Sequence, residues 1–123
     1  MLRIMTLADG EKAELGNGRG DKIRLVDERL GTGAIDLHHN TLKPGGPAGP
    51  YHRHSKSDNV YIVMGGTGEL VADGVPHSVT KGQIIFIPAG LPHSLSNPGD
   101  EPFEIFEIYA PAGPDFDFTI VED

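Results

Sequence analysis

Two stretches decide how this chain is read: Gly46-Pro-Ala-Gly-Pro-Tyr-His52-Arg-His54-Ser-Lys-Ser-Asp58, and further on Gly82-Gln-Ile-Ile-Phe-Ile-Pro88-Ala-Gly90-Leu-Pro-His93-Ser-Leu-Ser-Asn97. In the first, a single residue separates His52 from His54, so on an extended strand both side chains leave the same face. At a rise of about 3.3 Å per residue their Cα atoms stand roughly 6.5–7 Å apart. Imidazoles at that spacing can converge on one ion through metal–nitrogen bonds of about 2.0–2.1 Å. By itself a His-x-His pair is a weak sign, because histidines near surface turns are common. Its surroundings add weight: Gly46 stands six residues before His52, Asp58 four after His54, and Gly65 seven after Asp58.

Outward from these stretches the chain is built of short runs that alternate or are β-branched. They cover Ile23 to Val26, Ala34 to Leu42, Val60 to Met64, Gly68 to Ala72, Gln83 to Ile87 and Phe103 to Tyr109. Turn signals part them, among them Pro44-Gly45-Gly46, Gly65-Gly66, Asp73-Gly74 and Asn97-Pro98-Gly99-Asp100. Many short strands at such spacing predict a sandwich or barrel. Helical periodicity never lasts beyond a couple of turns; the segment Ala8 to Leu15 is a candidate short helix, stopped by Gly16, Gly18 and Gly20. Near the C-terminus Phe116, Phe118 and Ile120 alternate with Asp115, Asp117 and Thr119, the period of a half-buried strand. That strand could close a sheet of its own barrel or pair across a dimer. The fold class is all-β.

The two quoted stretches resemble the paired motifs of the cupin family, the second at every signature position and the first at all but one. The resemblance implies a double-stranded β-helix, or jelly-roll β-barrel, with a divalent metal in the mouth of the barrel. Carried over residue by residue, it names His52, His54, Asp58 and His93 as ligands. The departure is Asp58, where the family usually has glutamate; the side chain is one methylene shorter and reaches a little over ~1 Å less far. Its carboxylate could ligate, act as a base, orient an imidazole from outside the ligand set, or simply cap the turn before the strand at Val60. The glycine- and charge-rich residues 1–20 are set apart as an N-terminal segment, loosely ordered or exchanged in a dimer, which leaves 21–123 for the barrel. The resemblance also implies a homodimer.

Composition limits the chemistry. With no cysteine among 123 residues, disulfides and thiolate metal sites are excluded, and a metal must rest on His, Asp or Glu. Eighteen acidic against ten basic residues give a formal charge of −8, which argues against a nucleic-acid partner. No apolar run suits a signal peptide or a membrane span, so a soluble cytoplasmic protein is expected. Imidazole and carboxylate donors suit Fe(II), Mn(II), Ni(II), Co(II), Cu(II) or Zn(II), with iron or manganese favoured if oxygen is activated. Two classes of function follow: a metalloenzyme on a small organic molecule, oxygenase-type or else an isomerase, lyase or decarboxylase, and a cupin that only captures a small ligand.

Other residues carry narrower expectations. One of the adjacent His38 and His39 faces inward, as does one of Glu104 and Glu107, whereas His77 and Arg53 face solvent. If Asp58 faces the cavity, then Val60, Ile62 and Met64 continue that wall by alternation, as Leu95 and Asn97 do after His93. Phe86, Phe103, Ile105 or Phe106 would close the bottom, giving a mostly apolar cavity with one polar centre.

Overall fold

Glycine and proline punctuate the chain so often that no strand among the described residues exceeds eight residues. The structure, a computed structural model, describes residues 1–112 and 118–121. Its strands are β1 (Glu11–Leu15), β2 (Gly20–Val26), β3 (Asp36–Leu42), β4 (His52–His54), β5 (Asp58–Gly65), β6 (Thr67–Ala72), β7 (Val75–Thr80), β8 (Ile84–Ile87), β9 (His93–Ser96), β10 (Phe103–Ala110) and β11 (Phe118–Ile120). They pair antiparallel into a six-stranded sheet, β1-β2-β3-β10-β5-β8, and a five-stranded sheet, β11-β4-β9-β6-β7. The six runs read as strands overlap β2, β3, β5, β6, β8 and β10, with Ala34, Ile35 and Gln83 falling just outside. This is the all-β double-stranded β-helix expected. Pro76 is tolerated because β7 is an edge strand, where a missing N–H costs no ladder bond on the outer side. Among the described residues no helix is long and apolar enough to cross a membrane.

The helix expected over Ala8–Leu15 does not form. A single 3₁₀ turn, Leu7–Asp9, is closed by the Thr6 N–H donating to Asp9 Oδ2 at 2.8 Å, and β1 follows. Pairing overrides local propensity here. β1 lies along β2 from Glu11↔Arg24 to Leu15↔Gly20, and Lys12–Asp21 and Glu11–Arg24 ion pairs at 3.8 and 3.9 Å cross the ladder. Gly10 lets the chain cross onto β2, since a Cβ there would stand 2.3 Å from Ile23 Cγ2.

The interior has two storeys. The lower one is apolar: Leu42, Val63, Leu70, Val79, Ile87, Leu95, Phe103 and Ile105 form the core. Of the aromatic residues considered for the floor, Phe103 fills it at 0 % exposure, whereas Phe86 is 62 % exposed on the outer face. Gly68 admits the Phe103 ring, three of whose atoms would stand 2.7–2.9 Å from an added Cβ. The upper storey of the six-stranded sheet is polar. Reading across the strands, Arg24, His38, Glu107 and Tyr61 lie in one row, with Asp36, Tyr109 and Asn59 in the next.

That register corrects the parity expected of β5. Asn59, Tyr61 and Val63 are its buried residues, while Asp58 and Met64 are exposed and Val60 and Ile62 only partly covered. The turn at Ser55–Ser57 between β4 and β5 breaks the alternation that would have carried the face from His54 through Asp58. On β9 the expectation holds: Leu95 and the following Asn97 are buried. The C-terminal alternation is described only from Phe118 onward; Phe116, Asp115 and Asp117 lie outside the described residues. β11 pairs with β4 of its own chain, Phe118↔His54 through Ile120↔His52.

A candidate metal centre in the barrel mouth

Sheet register brings three histidines together. β4 and β9 are neighbours, and His52 stands directly across from His93, so both imidazoles leave the same face of adjacent strands. His54, two residues along β4, shares that face. Ring centroids are 4.3 Å apart for His52 and His93, 5.0 Å for His52 and His54, and 5.5 Å for His54 and His93. One nitrogen from each lies within 4.8 Å of the others. His54 is 2 % exposed and His93 fully buried.

The backbone presets which nitrogen faces an ion. His52 Nδ1 donates to the Pro50 carbonyl at 2.8 Å, and His93 Nδ1 donates to the Leu91 carbonyl at 2.9 Å. A carbonyl only accepts, so each Nδ1 carries the proton and each Nε2 holds a lone pair. His93 Nε2 is buried and meets no hydrogen-bond partner among the described residues. A buried, unsatisfied acceptor is costly, and an ion at that point would satisfy it. Burial lowers the pKa of His52 to about 3, against the pull of the Pro50 carbonyl, and the neighbouring His93, His54 and Arg19 add to the lowering. Burial lowers His93 as well. Both are therefore neutral at physiological pH, the form that ligates. The donor set fits a divalent transition metal.

Asp58, the fourth residue of the expected set, is not part of this cluster. It is exposed, and its Oδ1 accepts the Ala89 N–H at 3.0 Å, tying the start of β5 to the turn before Gly90. Arg53 points outward, and His77 is exposed. His38 and His39 are both buried, on opposite faces of β3: His38 lies inward beside Tyr109, and His39 Nε2 meets Glu104 Oε1 at 2.9 Å on the outer face. The inward glutamate is thus Glu107.

A cavity of about 160 Å³ opens beside the cluster, lined by His52 and His54 together with Arg19, Lys22, Asn40, Tyr61, Glu107 and Tyr109. The expected apolar wall is there in part, since Leu15, Leu42, Pro50, Leu95 and Phe118 also line the cavity, but it carries more polar groups than the single centre expected. Glu107 is fully enclosed, accepts the Tyr109 hydroxyl, and is pushed above the usual carboxylate range by burial, with Tyr109, Lys22, Arg19 and Asn40 pulling the other way. Phe118 stacks on the His52 ring at 4.5 Å and roofs the site. Sequence reasoning missed Arg19, Lys22, Tyr61, Asn40 and Tyr109. On β2 alternation alone would have sent the apolar Ile23 and Leu25 inward and the charged Lys22 and Arg24 outward, yet Leu25 is buried beneath Gly10 on the outer side. Glycines at 16, 18 and 20 were the available hint that Arg19 has a special backbone setting.

Comparison with known proteins agrees with this geometry. Residues 38–109 match the family model described as "Cupin domain". The chain is 35 % identical over 77 residues to a mannose-1-phosphate guanylyltransferase of Klebsiella pneumoniae, covering 63 % of this chain but only 16 % of that protein. Among solved structures, the polyketide cyclase RemF of Streptomyces resistomycificus superposes with a TM-score of 0.80 at 25 % identity, over 100 % of this chain and 87 % of that one. A sugar phosphate isomerase from Silicibacter pomeroyi superposes with a TM-score of 0.75 at 22 % identity, over 88 % and 75 % of the two chains. With the matched segment holding His52, His54 and His93 and spanning more than half of its length, the chain belongs to the cupin family.

Proposed function

We propose that this protein is a metal-dependent enzyme acting on a small organic molecule, with the metal held by His52, His54 and His93. The observation that carries this reading is the convergence of three imidazoles, two of which, His52 and His54, line a cavity, with a buried Nε2 of His93 that no described protein group satisfies. A divalent ion bound there supplies Lewis acidity toward a substrate oxygen, and iron or manganese would add access to oxygen chemistry.

The chain's own residues favour proton transfer, and so the isomerase or lyase class, over the oxygenase reading. Glu107 lines the same cavity and is held protonated to higher pH than an exposed carboxyl, with the Tyr109 hydroxyl hydrogen-bonded to Oε2. A carboxyl tuned in that direction can take up or release a substrate proton closer to neutral pH. The likeness to a cyclase at 25 % identity is in keeping with such chemistry. The small volume sets the substrate class by size, well below the roughly 300–1,000 Å³ of drug-sized pockets.

The test is metal content of protein purified without added metal or chelator, alongside His52→Ala and His93→Ala. Near-stoichiometric metal, lost in both variants, is expected. Oxygen uptake with candidate substrates then separates the two enzyme classes, and its appearance would return the oxygenase reading. Protein that takes up no metal even on reconstitution would leave a cupin that captures ligands without catalysis.

A further inference from the structure

The barrel mouth holds a second chemical feature besides the histidines. In a chain whose formal charge is −8, the charged residues that line the cavity among the described residues are two cations, Arg19 and Lys22, and one carboxyl, Glu107. Glu107 is already engaged by Tyr109 and Asn40. Each cation is partly desolvated, a cost that a soluble protein avoids by leaving arginine and lysine on the surface.

Arg19 is held in place by the local backbone. Its Nε donates to the Gly16 carbonyl at 3.1 Å, and its own carbonyl accepts the Lys43 N–H at 2.8 Å. The guanidinium lies against Gly49, where an added Cβ would stand 2.6 Å from Nη1 and 3.3 Å from Cζ. Gly20, at φ 149°, makes the turn into β2 so close to β3 that its Cβ would stand 1.9 Å from the Thr41 carbonyl oxygen. The ion pairs within 4.0 Å among the described residues join Lys12, Arg24, Arg29 and His39 to carboxylates, and Arg19 is in none of them. Glycines therefore admit a guanidinium to the cavity and a carbonyl orients it, while its forked face has no carboxylate at ion-pair distance among the described residues.

We propose that Arg19 and Lys22 form a carboxylate-recognition subsite, so that the ligand taken beside the histidine cluster is a small organic acid. A planar guanidinium matches a carboxylate through two parallel hydrogen bonds, and a lysine ammonium beside it adds charge without demanding geometry. Arginine also holds a phosphate through paired hydrogen bonds, and the titration below separates the two anions. The assignment deepens the metal-enzyme reading by naming its substrate class, but the binding it requires does not depend on a bound ion.

Calorimetric titration with malonate, with its neutral analogue malonamide and with inorganic phosphate tests it, on chelator-treated and metal-loaded full-length protein. The expected result is that malonate binds the metal-free protein and malonamide does not. Binding should weaken roughly 10–100-fold in Arg19→Gln, as loss of a charge-assisted hydrogen bond implies, and recover in part in Arg19→Lys. Lys22→Gln should weaken it too, and circular dichroism spectra and denaturant midpoints matching the parent show that these variants are folded. Equal binding of malonate and malonamide, a preference for phosphate, or an unchanged affinity in folded Arg19→Gln would overturn the assignment. A chain that binds malonate through Arg19 yet never retains metal would sink the metal-enzyme reading alone.

Discussion

His93 shows how one side chain is prepared for an ion. Its Nδ1 is committed to the Leu91 carbonyl, and its Nε2 is left buried without a partner among the described residues. Glycines act at the same scale by what they lack. Gly68 sits against the Phe103 ring in the core, where an added methyl would overlap three ring atoms. Overpacking of this kind costs about 1–3 kcal/mol. Gly68→Ala should lower the denaturant midpoint accordingly while leaving metal stoichiometry unchanged. A variant as stable as the parent would mean that the ring has room to move.

Elements decide which side chains meet. The adjacency of β4 and β9 places His52 opposite His93, and no spacing within either motif contains that pairing. The turn between β4 and β5 shifts the inward face by one residue, so that Asn59 is buried and Asp58 is exposed. A one-residue slip moves every side chain to the other face. Asp58 instead joins two elements through the Ala89 N–H. Asp58→Ala should therefore cost about 0.5–1.5 kcal/mol of stability, as loss of a single hydrogen bond does, and retain the metal. Loss of the metal together with little change in stability would show that the carboxylate reaches the ion.

At the scale of the whole molecule, the barrel carries a polar upper storey over an apolar lower one, and this couples stability to pH. His38, fully buried on the inner face of β3, has its pKa lowered to about 3, by burial first and then by Lys22 and Arg24, with Asp27 opposing and Arg29 adding a little. An unfolded histidine titrates near 6.5, so below that pH the unfolded chain takes the proton and the folded one does not. The contribution is fully present above about pH 6.5 and is lost progressively as the pH falls toward about 3. Each such group steepens the loss by up to roughly 1.4 kcal/mol per pH unit. Denaturant midpoints of metal-free protein, measured between pH 7 and 4 by circular dichroism, should fall less steeply for His38→Gln than for the parent. Parallel slopes would mean that His38 becomes protonated in the folded protein.

By itself the sequence determined the all-β class, most of the strands, the cupin resemblance and the three histidines, because these depend on period-2 alternation, turn residues and short local motifs. It also narrowed the metal donors, since a chain without cysteine has only imidazole and carboxylate to offer. Tertiary structure decided the rest. Whether Ala8–Leu15 becomes a helix or an edge strand depends on β2 being there to pair with it. Whether Glu104 or Glu107 enters the barrel depends on the register of β10 against β3 and β5. Lys22 reaches the cavity because Gly10 covers Leu25 on the outer side of β2, so that the charged face of that strand turns inward, and Arg19 reaches it from the turn before β2, held by the Gly16 carbonyl. Alternation tells which residues share a face, but only the packing of one element on another tells which face is inside.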